Sequence, residues 1–303
     1  MNSNWAFKQG DEDITEEETF YLVIPQTVLH YTAITSAVVE AKTEEYFIDH
    51  DENSVLFDED SYTEPPAVFA EAVTYEGSNT AYAKVYNVDA NGFDCFLEEE
   101  QSDNAETDHG SKETLNVLVM EEGYIRNYDG TIIGEVGSVT FQQASADSWY
   151  TVMASRSYVD PVVIMRTNTL NDSDPAHIRL DNIQSDGFDY KLEEWDYLDG
   201  ARTQDETAVY MILEKGQHWL PDEKYLTAQT INCEDDNWVT GDFDRYYFST
   251  PVVLTQVQTY NGVDSVITRV KDLSSQEFSV KLQEQESKNQ NHNEETVAVV
   301  SYV

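Results

Sequence analysis

Basic residues are scarce in this chain. Seventeen Lys and Arg stand against 59 Asp and Glu, a formal net charge of −42 over 303 residues. That scarcity excludes a nucleic-acid partner, because no basic patch is present to displace counterions from phosphate. Cysteine is scarcer still. The two cysteines, Cys95 and Cys233, show neither zinc spacing nor a disulfide framework. Alternation puts Cys95 on one strand face with Phe93 and Leu97, as a buried free thiol. No apolar run is long enough to span a bilayer, so membrane insertion is not expected. Met1 to Lys8 precede an acidic run and lack the basic region and apolar core of a secretion signal. Folding in the cytoplasm is the expectation.

What is present is a foldable composition. Hydrophobic residues make up 40% and aromatics 12%, which is too much for a disordered acidic tail. The acid is spread along the whole chain, so it reads as a solvated surface and not as an interaction tail. Such a surface repels itself in ordinary salt. At molar salt the Debye length falls to about 3 Å and the repulsion is screened. The composition therefore points to an extreme halophile or a virus of one, with an unusually acidic mesophilic protein as the alternative.

Three stretches repeat: 66 to 119, 161 to 213 and 251 to 302. From Pro66 to Lys84, Pro161 to Arg179 and Pro251 to Arg269 the spacing is 18 residues. From the same prolines to Phe93, Phe188 and Phe278 it is 27. A Glu-Thr pair closes each copy, at Glu113, Glu206 and Glu295. A repeat of this kind sets the fold before any single element does. Within each copy the segments are short and rich in Val, Ile, Thr and aromatics. Phe188, Tyr190 and Leu192 alternate with Asp189 and Lys191, the period of a half-buried strand. Turn formers such as Asp186-Gly187 and Asn261-Gly262 lie between them. About six strands per copy and no amphipathic helix predict an all-β fold of tandem antiparallel six-stranded β-sandwiches. The boundaries drawn are an N-terminal arm over 1–44 and repeats over 45–128, 129–220 and 221–303. With 7 Pro and 13 Gly there is no flexible linker, so the copies are expected to form a stiff rod or a tight cluster.

Two stretches stand outside the repeat. Glu18, Thr19 and the apolar run Phe20 to Ile24 echo a closing strand, and read either as the tail of a truncated fourth copy or as a plain arm. A truncated copy would leave a sheet edge for a neighbouring subunit to cover. The segment from Glu44 to Asp60 is acid-rich and lacks the ligand order of an EF-hand. It reads as a solvated loop ahead of a cation site.

Pro65-Pro66-Ala67-Val68, Ala83 to Phe93 and the closing apolar run resemble the H-type lectin domain of snail agglutinins and discoidins, and all three copies fit. The resemblance implies six-stranded sandwiches that trimerise. It places a sugar-contacting Trp seven residues after the Gly-Phe aromatic, where this chain has Glu100, Trp195 and Gln285. It also implies a His beside that Trp, here Asp196, and an Arg in the loop before the basic strand, where Asp174 and Pro175 stand. The classical pocket is therefore incomplete. The candidate ligand-binding residues are Trp195, stacking on a sugar face, with Asp196, Asp199 and Arg202 as hydrogen-bonding groups. The competing reading packs Trp195 against a neighbouring copy.

No nucleophile elbow, phosphate-cradling loop or metal-ligand cluster is present. His109 and His292 lie in the loop before Glu-Thr and read as surface residues. A non-enzymatic role without cofactor or metal is expected. The first class is a virion structural and adhesive protein (tail fibre, spike or capsid turret) of a virus of halophilic archaea, contacting host surface glycans. It would associate with itself, a trimer favoured, and dock on other virion proteins through the N-terminal arm. The alternative is a cellular carbohydrate-binding module of a halophile.

Overall fold

The computed structural model describes residues 38–58, 62–103, 105–243 and 245–303. The stretch Phe20 to Ile24, with the truncated-copy reading attached to it, lies outside the described residues. The described chain is all-β, built from tandem antiparallel six-stranded sandwiches. The first sandwich comprises β1 (Val38–Ile48), β2 (Asn53–Leu56), β3 (Ala67–Ala72), β4 (Ala81–Tyr86), β5 (Gly92–Glu99) and β6 (Glu113–Met120). A short strand β7 (Gly123–Arg126) leads into the second, with β8 (Ile132–Phe141), β9 (Tyr150–Met153), β10 (Pro161–Thr167), β11 (Ala176–Gln184), β12 (Gly187–Glu194) and β13 (Glu206–Glu214). Another, β14 (Gly216–Trp219), leads into the third, with β15 (Tyr225–Cys233), β16 (Val239–Asp242), β17 (Val252–Val257), β18 (Val266–Lys271), β19 (Glu277–Glu284) and β20 (Glu295–Tyr302).

Each sandwich repeats one topology. One sheet runs β1-β6-β3, and its counterparts are β7-β8-β13-β10 and β14-β15-β20-β17; the other runs β2-β5-β4, β9-β12-β11 and β16-β19-β18. Asn87, Asn182 and Asp272 fall 21 residues after the repeat prolines, and all adopt positive φ near 50°. Asn and Asp tolerate this left-handed backbone better than other side-chain-bearing residues.

The proline-led strands explain themselves by burial. In β3, Ala67 and Phe69 face one core while Val68 and Ala70 face another. In β10, Val162 and Ile164 share the first core, and Val163 and Met165 face the second sandwich's own. In β17, Val252 and Leu254 join the shared core and Val253 faces the third sandwich's. A strand buried on both faces reads as a continuous apolar run. Three sandwich cores therefore surround a fourth, axial core, and β3, β10 and β17 contact one another pairwise around it. The copies form a tight cluster with pseudo-threefold symmetry. The described residues fall in one compact unit.

Two differences from the sequence reading stand out. The acid-rich segment from Glu44 to Asp60 is not simply a loop, because it carries the end of β1 and all of β2. The pair Glu44 and Glu45 interrupts the apolar pattern of β1, and β2 is only four residues long. β1 also begins at Val38, seven residues ahead of the boundary drawn at 45.

Candidate functional site: the seams between sandwiches

The basic residue 18 positions after each repeat proline crosses a seam. Arg179 on β11 is fully buried, with Nε 3.3 Å from Glu193 of its own sandwich and Nη2 3.4 Å from Glu295 of the third. Arg269 on β18 donates to Gln283 of its own sandwich at 3.3 Å and to Glu113 of the first at 3.4 Å. Lys84 on β4 lies 3.9 Å from Glu98 of its own sandwich and donates to the Ala176 carbonyl of the second at 3.4 Å. First reaches second, second reaches third, and third reaches first. The ring of contacts closes within one chain.

The seams are not identical. Arg269 lies over Tyr75 at 4.8 Å, and Lys281 over the same ring at 4.6 Å and over Trp238 at 5.2 Å. Arg179, Lys191, Tyr260 and Trp149 repeat that cluster at the seam between second and third sandwiches. At the seam between first and second, Leu170 and Glu52 stand where Tyr and Trp would be.

The carboxylates that receive these cations are held by histidine. His109 Nδ1 lies 2.6 Å from Glu99 and its Nε2 3.2 Å from Glu113. His292 Nδ1 lies 2.9 Å from Glu284 and its Nε2 3.0 Å from Glu295. Both imidazoles are buried. They are not the surface residues the sequence suggested, because the loop folds inward beneath the cation of the neighbouring sandwich. At His292, two carboxylate acceptors call for two N–H donors, hence an imidazolium. Burial alone would lower the His292 pKa, but hydrogen bonds to Glu295 and Glu284 outweigh it and the value is raised. Burial would raise Glu113, but His109, Thr74 and the amides of Gly77 and Glu76 bring it down to about 2.

The second sandwich solves the same problem differently. Arg202 replaces the histidine, with Nε 3.3 Å from Glu194 and Nη1 3.3 Å from Asp172. Asp172 occupies the position of Gly77 and Gly262. A Cβ at either glycine would meet the imidazole at 2.5 Å. Gly with His in the first and third sandwiches and Asp with Arg in the second are alternative ways of filling one space.

The proposed ligand residues belong to this machinery. Trp195 is 1% exposed and packs on His177, with ring centroids 4.8 Å apart. A buried indole offers no face to a sugar, so stacking at Trp195 does not fit the structure. The Asp196 amide donates to Gln285 of the third sandwich at 3.0 Å, and its carboxylate pairs with Lys288 at 2.7 Å. Asp199 accepts from the Ala201 amide at 3.0 Å and shapes the turn. Arg202 is buried in the pairs above. Trp195 and Arg202 are thus tied up inside the protein, while Asp196 stays exposed and is engaged by Lys288 and Gln285. Glu100 and Gln285, the counterparts of Trp195, also bridge seams: the Glu286 amide donates to Glu100 at 2.6 Å.

On the axis, the three residues five positions after the prolines differ and complement one another. Arg166 pairs with Glu71 at 2.5 Å and donates to Gln256 Oε1 at 2.5 Å. Identical subunits would place three copies of one residue there. A fused repeat can place an acid, a base and an amide. A cavity of about 60 Å³ lies beside them, lined by Tyr82, His177, Thr268 and Arg269 among others. Nearby, the Asn168 side chain docks on Val68 like a strand, accepting from its amide at 3.0 Å and donating to its carbonyl at 2.8 Å. Gln258 accepts from Val163 at 2.5 Å in the equivalent place.

Lys84, Arg179, Lys191, Arg202, Arg269 and Lys281 are all buried, among carboxylates such as Glu98, Glu113, Glu193, Glu194 and Glu295 that are buried with them. Cys95 and Cys233 are buried and unpaired, and burial pushes both thiols up to about 12. No helix among the described residues is long and apolar enough to cross a membrane.

The chain is similar to part of Halomucin. That protein, from Haloquadratum walsbyi, is 27% identical over 174 residues, which cover 55% of this chain and 2% of Halomucin. The chain thus matches a very small part of the relative's length. No family model matches the chain, and no solved structure does. The likeness to H-type lectins rests on the motif spacing alone.

Proposed function

We propose that this chain is a non-catalytic adhesion module of a halophile's surface, three sandwiches locked into one rigid unit. The observation that carries this reading is the fate of the repeated ionisable groups. The repeated cations and the carboxylate and imidazole clusters that receive them are buried and committed to joining one sandwich to the next. A general base must come within hydrogen-bond reach of its substrate, and these groups face only one another. The stretch of similarity to Halomucin, from a halophilic archaeon, supports a cellular role over the virion role expected from the sequence. The scarcity of exposed cations supports a working medium of molar salt.

The test is retention of the purified protein on halophilic archaeal cells in molar KCl, with release of reducing sugar assayed in parallel. The reading expects retention without sugar release. Protein left wholly in the supernatant would overturn adhesion, and sugar release would make the module an enzyme.

A further inference from the structure

Pseudo-symmetry separates architecture from the rest. Groups that hold the fold recur at equivalent positions in the three sandwiches. Large exposed groups that do not recur need another explanation. One such set stands out on the linker hairpins, outside the strands that carry the lectin resemblance. Tyr128 and Trp219 stack with centroids 4.7 Å apart and planes 10° apart. Tyr225 continues the stack beyond Trp219 at 6.4 Å and 15°. The Arg245 guanidinium lies 3.6 Å from the Tyr225 centroid and caps that end. The other end is open: Tyr128 is 60% exposed and Trp219 45%. Arg126 occupies the position on β7 that Trp219 has on β14, so among the described residues the stack does not recur.

The stack is preorganised. The Tyr128 amide donates to the Trp219 carbonyl at 2.6 Å and ties the two hairpins together. The turn beneath Trp219 is closed by Leu220 to Lys224 and Glu223 to Leu220 bonds, at 2.8 and 3.0 Å. Asp222 is held by the Tyr302 hydroxyl at 2.7 Å. Fixed rings lose little entropy on binding. Exposed aromatic area with a polar tip suits a ligand that is apolar on one face and polar at its edges.

We propose that the Tyr128–Trp219 stack is a binding platform for a neutral saccharide, resting on the adhesion reading above. The apolar C–H face of a pyranose would lie on the open side of Tyr128 and extend the stack. The turns that carry these rings also carry Asp129 and Asp222, which can accept from sugar hydroxyls, and Lys224, which can donate. Charge complementarity selects this occupant. A second copy of the chain or a polyanion would press carboxylates directly against these carboxylates, at contact distances where even the Debye length of about 3 Å at molar salt screens only in part. A hydroxylated neutral ring can pair with both signs.

The experiment measures retention on beads carrying a neutral galactan, mannan or glucan, and on polyuronate beads, in molar KCl. The wild type is compared with Tyr128→Ala, Trp219→Ala and the off-platform control Tyr46→Ala. Circular dichroism confirms that each variant is folded, and light scattering records the assembly state. The platform predicts retention on at least one neutral polysaccharide, weakened roughly tenfold by either platform variant and unchanged by Tyr46→Ala. No retention, retention on polyuronate alone, or retention insensitive to both platform variants overturns it. An assembly that falls apart in the platform variants would assign the stack to a second copy instead. If the wild type binds whole cells and the platform variants bind equally well, the platform fails while adhesion stands. If the wild type does not bind cells, adhesion itself fails.

Discussion

At the scale of single residues, His292 and Glu113 are the clearest levers on stability. The folded pKa of His292 lies above its ordinary 6.5. Its contribution is complete below that value and is lost as pH rises through the raised pKa. Glu113 works in the opposite direction, from an ordinary 4.5 to about 2 in the fold. Its contribution is complete above about 4.5 and is lost as pH falls toward 2. Urea unfolding in molar KCl should therefore show a plateau of stability between these limits and a decline on both sides. His292→Gln should flatten the alkaline decline and leave the acid one in place. An alkaline limb unchanged in that variant would refute the imidazolium. The sequence hid His109 and His292 because a loop histidine has no period to reveal burial. The signal that could have found them is positional: His109 and Arg202 stand four residues before the closing Glu, and His292 stands three before it.

At the scale of elements, the strands of the repeat were legible because burial imposes a pattern. β12 alternates, and β10 is a continuous apolar run because both its faces are covered. β7 and β14 have four residues each, too few for any period to show. In β1 the pair Glu44 and Glu45 interrupts the apolar pattern, and β2 is likewise only four residues long. What no local pattern could disclose is side-chain docking between strands of different sandwiches. Asn168 is the example, since it takes both backbone groups of Val68. Asn168→Ala would leave a buried N–H and C=O unpaired. The expected cost is about 1–3 kcal/mol per group at most, read from the urea midpoint with an unchanged slope. A variant as stable as wild type would show that water replaces the amide and that the contact contributes nothing.

At the scale of the whole molecule, the repeat announced three sandwiches, and the exact spacing from proline to base announced that the basic residue mattered. The sequence could not say that its partner lies in the next copy. It did offer a packed Trp195 beside a sugar-stacking one, and the 1% exposure of that indole fits the packed reading. The trimer that the lectin resemblance implied between chains has a counterpart inside this chain. It uses what a fused chain alone can use: unlike residues at equivalent positions, as in Glu71, Arg166 and Gln256. The net charge of −42 makes the unit depend on salt. Replacing molar KCl with roughly 0.1 M, where the Debye length grows to about 10 Å, should lower the urea midpoint.

The central claim is that the third sandwich clasps the first and closes the ring. The most direct measurement is urea unfolding in molar KCl of the wild type and Arg269→Gln, followed by both far-ultraviolet circular dichroism and tryptophan fluorescence. The account predicts one coincident transition in the wild type. It also predicts a loss of about 3–5 kcal/mol in the variant, since Glu113 is left with a buried charge short of its partner. Separate transitions in the wild type, or a variant whose only change is in the third sandwich, would mean three independent domains on a string and would contradict it.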